Sequence, residues 1–271
     1  MRTIVPGGGW GLQAFGYCPS CDRNSMFVLA KRHAAWVHRI ATDWSNSHGY
    51  KHALAIRESS ICALCRANLR MRAQARTALD MLGLRRTRDL AAMLENDRRF
   101  VMFEAATNTV FRPRAVVGRP NYLSSEYNEA APRGAVVDGI LNQDLQALTF
   151  DDASFDVVLT SDVLEHVANL DRALNEIRRV LKPGGHHVFT VPADPELPHT
   201  IERAHLEGAT VVHDLAPVYH GDSMRGEGIL AFRDFAADAA ARLSQPSMPC
   251  RMVECALPDG HTTAVFVARK T

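Results

Sequence analysis

The chemistry available to this chain lies in four cysteines and in a loop of acids and histidines. Cys18-Pro19-Ser20-Cys21 and Cys62-Ala63-Leu64-Cys65 make two Cys-x-x-Cys pairs. Four thiolates suit a tetrahedral Zn²⁺, with one knuckle from each pair, so Cys18, Cys21, Cys62 and Cys65 are the candidate metal ligands. A redox dithiol or buried unligated thiols are the alternatives. A thioredoxin-type redox site wants a strand–helix context, which Gly16-Tyr17-Cys18-Pro19 does not resemble. Cys250 and Cys255 read as buried thiols of a C-terminal strand region.

The second constellation is Thr160-Ser161-Asp162-Val163-Leu164-Glu165-His166-Val167. It follows the apolar run Phe155 to Leu159, which places its polar groups at the end of a buried strand. Asp162 and His166 are candidates to face a ligand, and a histidine that packs to hold the loop is the plainer reading of His166. A third group is Val218-Tyr219-His220-Gly221-Asp222, in a loop-rich stretch that also holds His199, His205 and His213. Proton transfer needs a base of suitable pKa near the reacting group, and His166, His220 and Asp222 are the candidates. A turn held by structural hydrogen bonds is the alternative for 218–222.

These groups must be positioned by alternating strands and helices. Phe100 to Ala105, Asn121 to Tyr127, Val136 to Leu141, Phe155 to Leu159 and His187 to Val191 read as strands. Leu170, Ala173, Leu174, Ile177 and Leu181 recur at helical spacing, with Asn169 as N-cap and Pro183-Gly184-Gly185 as the stop. Further helices are expected over Leu69 to Leu82, with Gly83 ending it, over Thr87 to Leu94 with Thr87 as cap, in a short turn near Asn108 to Arg114, and over Phe232 to Leu243. A hairpin is expected around Thr210 to Val218. Arg251 to Ala256 and Thr262 to Ala268, joined by Pro258-Asp259-Gly260, read as a terminal antiparallel hairpin. The expected fold is α/β: a doubly wound, mostly parallel sheet with that hairpin, plus a small N-terminal zinc module held by the four cysteines. The expected division is 1–70 for the zinc module, 71–98 for a helical linker and 99–271 for the α/β domain.

Composition sets limits. The 271 residues are 46% hydrophobic and 23% charged, as a packed core requires. Lys plus Arg is 31 and Asp plus Glu is 30, so bulk charge makes no case for nucleic acid or a membrane surface. Arg66, Arg70, Arg72, Arg76, Arg85, Arg86 and Arg88 cluster locally. They read as a solvated helix face, or as a surface for an anionic ligand. No apolar run approaches the roughly 20 residues of a membrane span. The N-terminus lacks an apolar signal core, and a cytoplasmic location with reduced thiols is expected.

The segment LTFDDASFDVVLTSDVLEHVANLDRALNEIRRVLKPGGHHVFTVP, Leu148 to Pro192, resembles the second half of a class I S-adenosylmethionine-dependent methyltransferase, with a Rossmann-like sheet. The resemblance implies a cofactor crevice at the carboxyl ends of the strands. In Glu104-Ala105-Ala106-Thr107-Asn108-Thr109-Val110 the family acid is present as Glu104, and Ala106, Asn108 and Val110 replace the family's glycines. Asn108 tolerates a left-handed backbone and Val110 does not. The resemblance further implies Glu126 on the ribose hydroxyls, Asp144 and Leu145 at the adenine, and Ser161 with Asp162 at the methionine part or the acceptor. It implies methyl transfer to a small-molecule or saccharide hydroxyl. A non-catalytic member that keeps the fold for binding, or an enzyme using the cofactor otherwise, are the alternatives.

Overall fold

A computed structural model describes residues 10–42, 47–221 and 228–271. Two short strands open it, β1 (Trp10–Cys18) and β2 (Arg23–Ala30), followed by the helices α1 (Lys31–Thr42) and α2 (His48–Ser59) and by β3 (Ser60–Cys62). The three strands form one antiparallel sheet. Strand β2 passes directly into α1 at Ala30–Lys31. Helix α2 carries no strong sequence signal, and its N-cap is Ser47, whose side chain accepts from Tyr50 N.

Helices α3 (Leu69–Met81) and α4 (Thr87–Asn96) lead into the main sheet. Gly83, at φ +70°, ends α3, with Leu84 N donating to Leu79 O in the six-to-one closure of a helix stop. The cap of α4 is Arg86 and not Thr87, whose hydroxyl donates to Pro19 O instead. Then follow β4 (Met102–Glu104), α5 (Arg114–Val117), β5 (Tyr122–Glu126), β6 (Val136–Val137), β7 (Ile140–Asn142), β8 (Phe155–Ser161), α6 (Leu170–Val180), β9 (Leu181–Thr190) and the terminal pair β10 (Cys250–Ala256) and β11 (Thr262–Arg269). The eight-stranded order is β10-β11-β9-β8-β4-β5-β7-β6. Neighbours from β9 to β7 are parallel, and β11 runs antiparallel to both β9 and β10. Successive residues of β8 feed opposite cores. Val157 and Leu159 pack with α3 and α4, while Phe155 and Val158 pack with α6, whose apolar stripe is buried throughout.

Four expectations change in detail. Val136 to Leu141 is a hairpin and not one strand, because Asp138 and Gly139 both take left-handed backbone, the pair a tight hairpin turn demands. The Lys182-Pro183-Gly184-Gly185 stretch is a bulge inside β9: Leu181 pairs with Phe155 and the next partners are His186 and Val157. A Cβ on Gly185 would stand 2.9 Å from Lys182 O, so glycine is needed there for close approach. Phe232 to Leu243 is only partly helical. Arg233–Ala236 is a strand between Ala193–Asp194 and Ile201–Glu202, and Ala239–Arg242 alone is helix. The expected 210–218 hairpin forms one strand earlier, from Ala204–Glu207 and Thr210–His213.

Residues 71–98 are no linker, since Ala73, Ala75, Ala78, Leu79, Leu90 and Leu94 lie in the same core as Met102, Leu159 and Val265. Nor do the arginines of α3 form a solvated face. Arg72 is fully buried: it stacks at 4.3 Å on Phe27 and pairs at 2.7 Å with the equally buried Asp259 in the β10–β11 turn. Ser60 of β3 joins both, donating to Asp259 at 2.8 Å. The N-terminal strands are thus tied to the last turn of the chain. Removing one partner of a buried pair strands the other charge. Asp259→Asn is expected to lower unfolding free energy by about 3–5 kcal/mol in denaturant titration, a range typical of such breaks.

Glu104 ends β4, fully buried. Its carboxylate accepts from Val110 N at 2.7 Å and from the Tyr122 hydroxyl. Burial pushes its pKa up to about 7, against those two hydrogen bonds. The folded state therefore holds this proton more tightly than the unfolded chain does. Its contribution is complete below the ordinary glutamate pKa and is lost as pH rises toward 7. Glu104→Gln is expected to flatten the fall in melting temperature between about pH 4.5 and pH 7, a difference on the order of 3 kcal/mol for this single group.

Candidate functional site

The strand order reverses between β4 and β8, and the carboxyl ends of β4, β5, β7 and β8 open there into a cavity of about 770 Å³. A crevice at such a switch point is where doubly wound sheets take ligands. Ala105, Ala106, Thr107 and Asn108 line it from the loop after β4. None of Ala106, Asn108 or Val110 has positive φ. The loop avoids a left-handed turn by burying Val110 and Phe111 in the core, its backbone held by Glu104. Glu104 itself does not line the cavity, a correction to its reading as a cofactor ligand.

The next two loops supply carboxylates. Glu126, at the end of β5, accepts at Oε2 from Thr107 N and Oγ1, at 3.2 and 2.9 Å, and lines the cavity. Asp144 lines it too and accepts at Oδ1 from Gln146 N at 2.8 Å, with Leu145 buried beside it.

Asp162, after β8, sits at φ +52°, a conformation aspartate tolerates better than most. It lines the cavity, but its two oxygens are gripped by Arg57 at 2.7 Å each, with Arg70 at 3.2 Å. Burial alone would raise its pKa; Arg57 and Arg70 instead hold it below the usual carboxylate range. Arg70 also donates to Ser161 Oγ at 2.6 Å, and Glu58 accepts from Arg57, Asn68 and Arg70. Helices α2 and α3 thus close over the sheet's edge, and His33 and Trp36 of α1 line the same cavity. Arg57 and Glu58 belong to no motif, and the sequence carries no signal that could have singled them out. Arg70 was visible only as a member of the arginine cluster.

Glu165, His166 and His220 line the far side. The two imidazoles meet edge to face, centroids 4.8 Å apart. His166 Nδ1 lies 2.9 Å from Leu230 O, which can only accept, so Nδ1 bears the proton and Nε2 the lone pair. Burial drives the His220 pKa down to about 3. Burial, with Asp162 nearby, pushes Glu165 well up. The loop is stapled from below by the buried Arg233, which donates at 2.7 Å to both Leu164 O and Val167 O. Asp222 lies outside the described residues. His199, His205 and His213 do not line the cavity; His205 is half-exposed and pairs with Asp214 at 2.8 Å. Arg203 is buried against Asp234 at 2.6 Å.

The four cysteines converge away from this cavity. Cys18 Sγ is 3.8 Å from Cys65 Sγ and Cys21 Sγ is 4.0 Å from Cys62 Sγ, and all four sulfurs lie within 4.8 Å of one another. The two knuckles repeat one geometry. Asp22 N returns to Cys18 O at 3.0 Å and Arg66 N to Cys62 O at 2.9 Å, and Asp22 and Arg66 both have positive φ. The cluster could hold a metal ion.

Residues 120–189 match the family described as "Methyltransferase domain". A malonyl-[acyl-carrier protein] O-methyltransferase of Erwinia pyrifoliae is 36% identical over 75 residues, 28% of this chain and 29% of that protein. A ubiquinone/menaquinone biosynthesis C-methyltransferase of Hydrogenovibrio crunogenus is 58% identical over 40 residues, 15% of this chain and 16% of that protein. The chain thus spans less than a third of the length of these curated relatives. Among solved structures, a Burkholderia thailandensis 1,6-didemethyltoxoflavin-N1-methyltransferase with bound S-adenosylhomocysteine is 15% identical, at a TM-score of 0.41, with 95% of this chain and 99% of that chain covered. The matched residues run from just before β5 to Phe189 in β9 and include Glu126, Asp144, Asp162 and His166, so this stretch of the chain is similar to a methyltransferase domain.

Proposed function

We propose that the chain is an S-adenosylmethionine-dependent methyltransferase acting on a hydroxyl of a small molecule or saccharide. One observation carries the reading: the residues that match the methyltransferase domain are those whose strand ends open into the switch-point cavity. The donor set fits a nucleoside. A carboxylate at Glu126 can take a pair of ribose hydroxyls, and Leu145 beside Asp144 offers an apolar wall with an acceptor for an exocyclic amine. Asp162, saturated by Arg57 and Arg70, acts here as the anchor of the roof and not as a ligand. S-adenosylmethionine supplies a methyl group on a positively charged sulfur. The protein's part is to hold the acceptor oxygen in line with that carbon and to exclude water. With the cofactor bound, the acceptor hydroxyl would give its proton to a lone pair at the far side of the cavity, where His166 and His220 stand.

The four-cysteine cluster is proposed to hold one structural Zn²⁺. Thiolates about 2.3 Å from a tetrahedral ion stand about 3.8 Å apart, which the sulfur separations approach. Four neighbouring thiols share hydrogens, raising Cys18 against Cys21 and lowering Cys62 against Cys18, and a dication relieves that competition by ionising all four.

Isothermal titration with S-adenosylhomocysteine tests the first reading. Binding is expected, weakened by Glu126→Ala and by Asp144→Ala by roughly 1–3 kcal/mol each, about 5- to 150-fold. Absence of binding at millimolar ligand defeats the reading. For the metal, about one zinc per chain is expected in protein purified without chelator. Cys62→Ser should lose it together with the resistance of residues 10–67 to protease, whereas retained zinc would refute the four-thiolate set.

A further inference from the structure

Glu165 poses a problem that methyl transfer alone leaves unanswered. Its side chain is 1% exposed, and among the described residues neither carboxylate oxygen has a hydrogen-bond partner. A buried, unpartnered carboxylate costs several kcal/mol unless it is neutralised or coordinates a cation. Its Oε1 is directed at two imidazoles, 3.7 Å from His166 Nε2 and 3.9 Å from His220 Nδ1, and the three ligand atoms lie within 4.8 Å of one another.

We infer that Glu165, His166 and His220 form a binding site for a divalent transition-metal ion at the acceptor side of the cavity. Three features support it. Two histidines and one carboxylate on one side of an ion, with the remaining positions open, is a recurrent ligand set for first-row divalent metals. The atoms are near the needed spacing: ligands about 2.1 Å from an ion at tetrahedral angles stand about 3.4 Å apart, so the two glutamate–histidine pairs need close by only a few tenths of an ångström. The outer shell is also in place. A ligating histidine commonly donates its other ring N–H to a carbonyl, and His166 does so to Leu230 O, which turns the Nε2 lone pair toward Glu165. Leu230 in turn belongs to the two-residue strand Ile229–Leu230 that pairs with Tyr219–His220, so one short ladder aims both imidazoles.

The open positions face the cavity, where an oxygen of an incoming molecule can complete the coordination. With the ion bound, the His166 Nε2 and His220 Nδ1 lone pairs would be taken up as ligands, so the site deepens the proposed reaction by lowering the acceptor hydroxyl's pKa in place of a histidine base, the proton leaving to solvent. The inference rests on that reading for its purpose but not for its existence.

Protein carrying zinc at the four cysteines is dialysed against Co²⁺ and the bound cobalt is measured. Wild type is expected to hold one Co²⁺ beyond the zinc, with the weak visible bands of nitrogen and oxygen ligation and without the intense charge-transfer bands of thiolate ligation. Glu165→Gln and His220→Ala should each weaken Co²⁺ by at least about a hundredfold, the upper end of what even an outer-shell loss produces. His205→Ala, outside the cavity, should leave it unchanged. Glu165→Gln keeps the side-chain volume and decides the matter should His220→Ala melt early. No cobalt beyond the zinc in wild type, or cobalt retained by Glu165→Gln, overturns the proposal. Titration of the same samples with S-adenosylhomocysteine reads the nucleoside end separately, so loss of one binding event without the other shows which assignment has failed.

Discussion

The structure depends on the ion pairing of Arg57 and Arg70 with Asp162. Two arginines from the N-terminal helices enter the carboxyl edge of a parallel sheet and find there one carboxylate, on a residue in the left-handed region. A left-handed non-glycine residue and three buried charges are each unfavourable alone. Together they offset one another. The bidentate guanidinium fixes the aspartate's orientation, Asp162 N donates to Thr190 O, and Glu58, itself accepting from Asn68, accepts from both cations. The outcome is a roof that cannot shift without exposing unpaired charge. His33, which lines the cavity from above, is joined to the helix of Arg57 through Ser59.

The cysteine cluster belongs to the same construction, although it lies away from the cavity. Glu58 and Arg57 sit only a few residues before Cys62, and Asn68 and Arg70 only a few after Cys65. A knuckle that fixes β3 therefore fixes the end of α2 and the start of α3 at once. The segment carrying it is too small for a core of its own: its buried apolar groups form two small clusters, one of them around Cys18, Phe27 and Cys62. A metal held by the four cysteines would stabilise such a segment, its binding free energy adding to folding. The buried Arg72–Asp259 pair adds a third attachment, from the end of the chain.

Legibility in the sequence followed the range of the interactions. The unit from Phe155 to Val191 was readable because each strand or helix declares itself by local period, and the N-cap Asn169 and the α6 stripe stand where the spacing puts them. At Asp138-Gly139 the hydrophobic continuity of Val136 to Leu141 suggests one strand, while the left-handed backbone of those two residues turns it into a hairpin. In the 232–243 segment alanines favour helix locally, while pairing with Ala193–Asp194 and Ile201–Glu202 makes Arg233–Ala236 a strand from a distance. Arg57, Glu58 and Glu165 had no readable role. Their meaning lies in which carboxylate meets which cation across long separations, and no periodicity encodes that. Arg72 shows the same failure from the other side: a run of arginines looks solvated until the fold supplies a buried aspartate.

The loop after β4 shows how a departure from a family pattern can be absorbed. Glycines there normally permit a left-handed turn beneath the cofactor. Here the chain stays in ordinary backbone at Ala106, Asn108 and Val110, and the bulk that would have obstructed the crevice is turned into the core as Val110 and Phe111. That inversion leaves the Val110 N–H needing an acceptor deep in the protein, and Glu104 provides it. The acid that would elsewhere face the ligand is thus committed to holding the loop, with the Tyr122 hydroxyl as its second partner. This edge of the cavity is lined instead by Thr107 and Glu126, which are joined by two hydrogen bonds. The burial of Val110 and that of Glu104 are thus linked through the residue-110 backbone N–H.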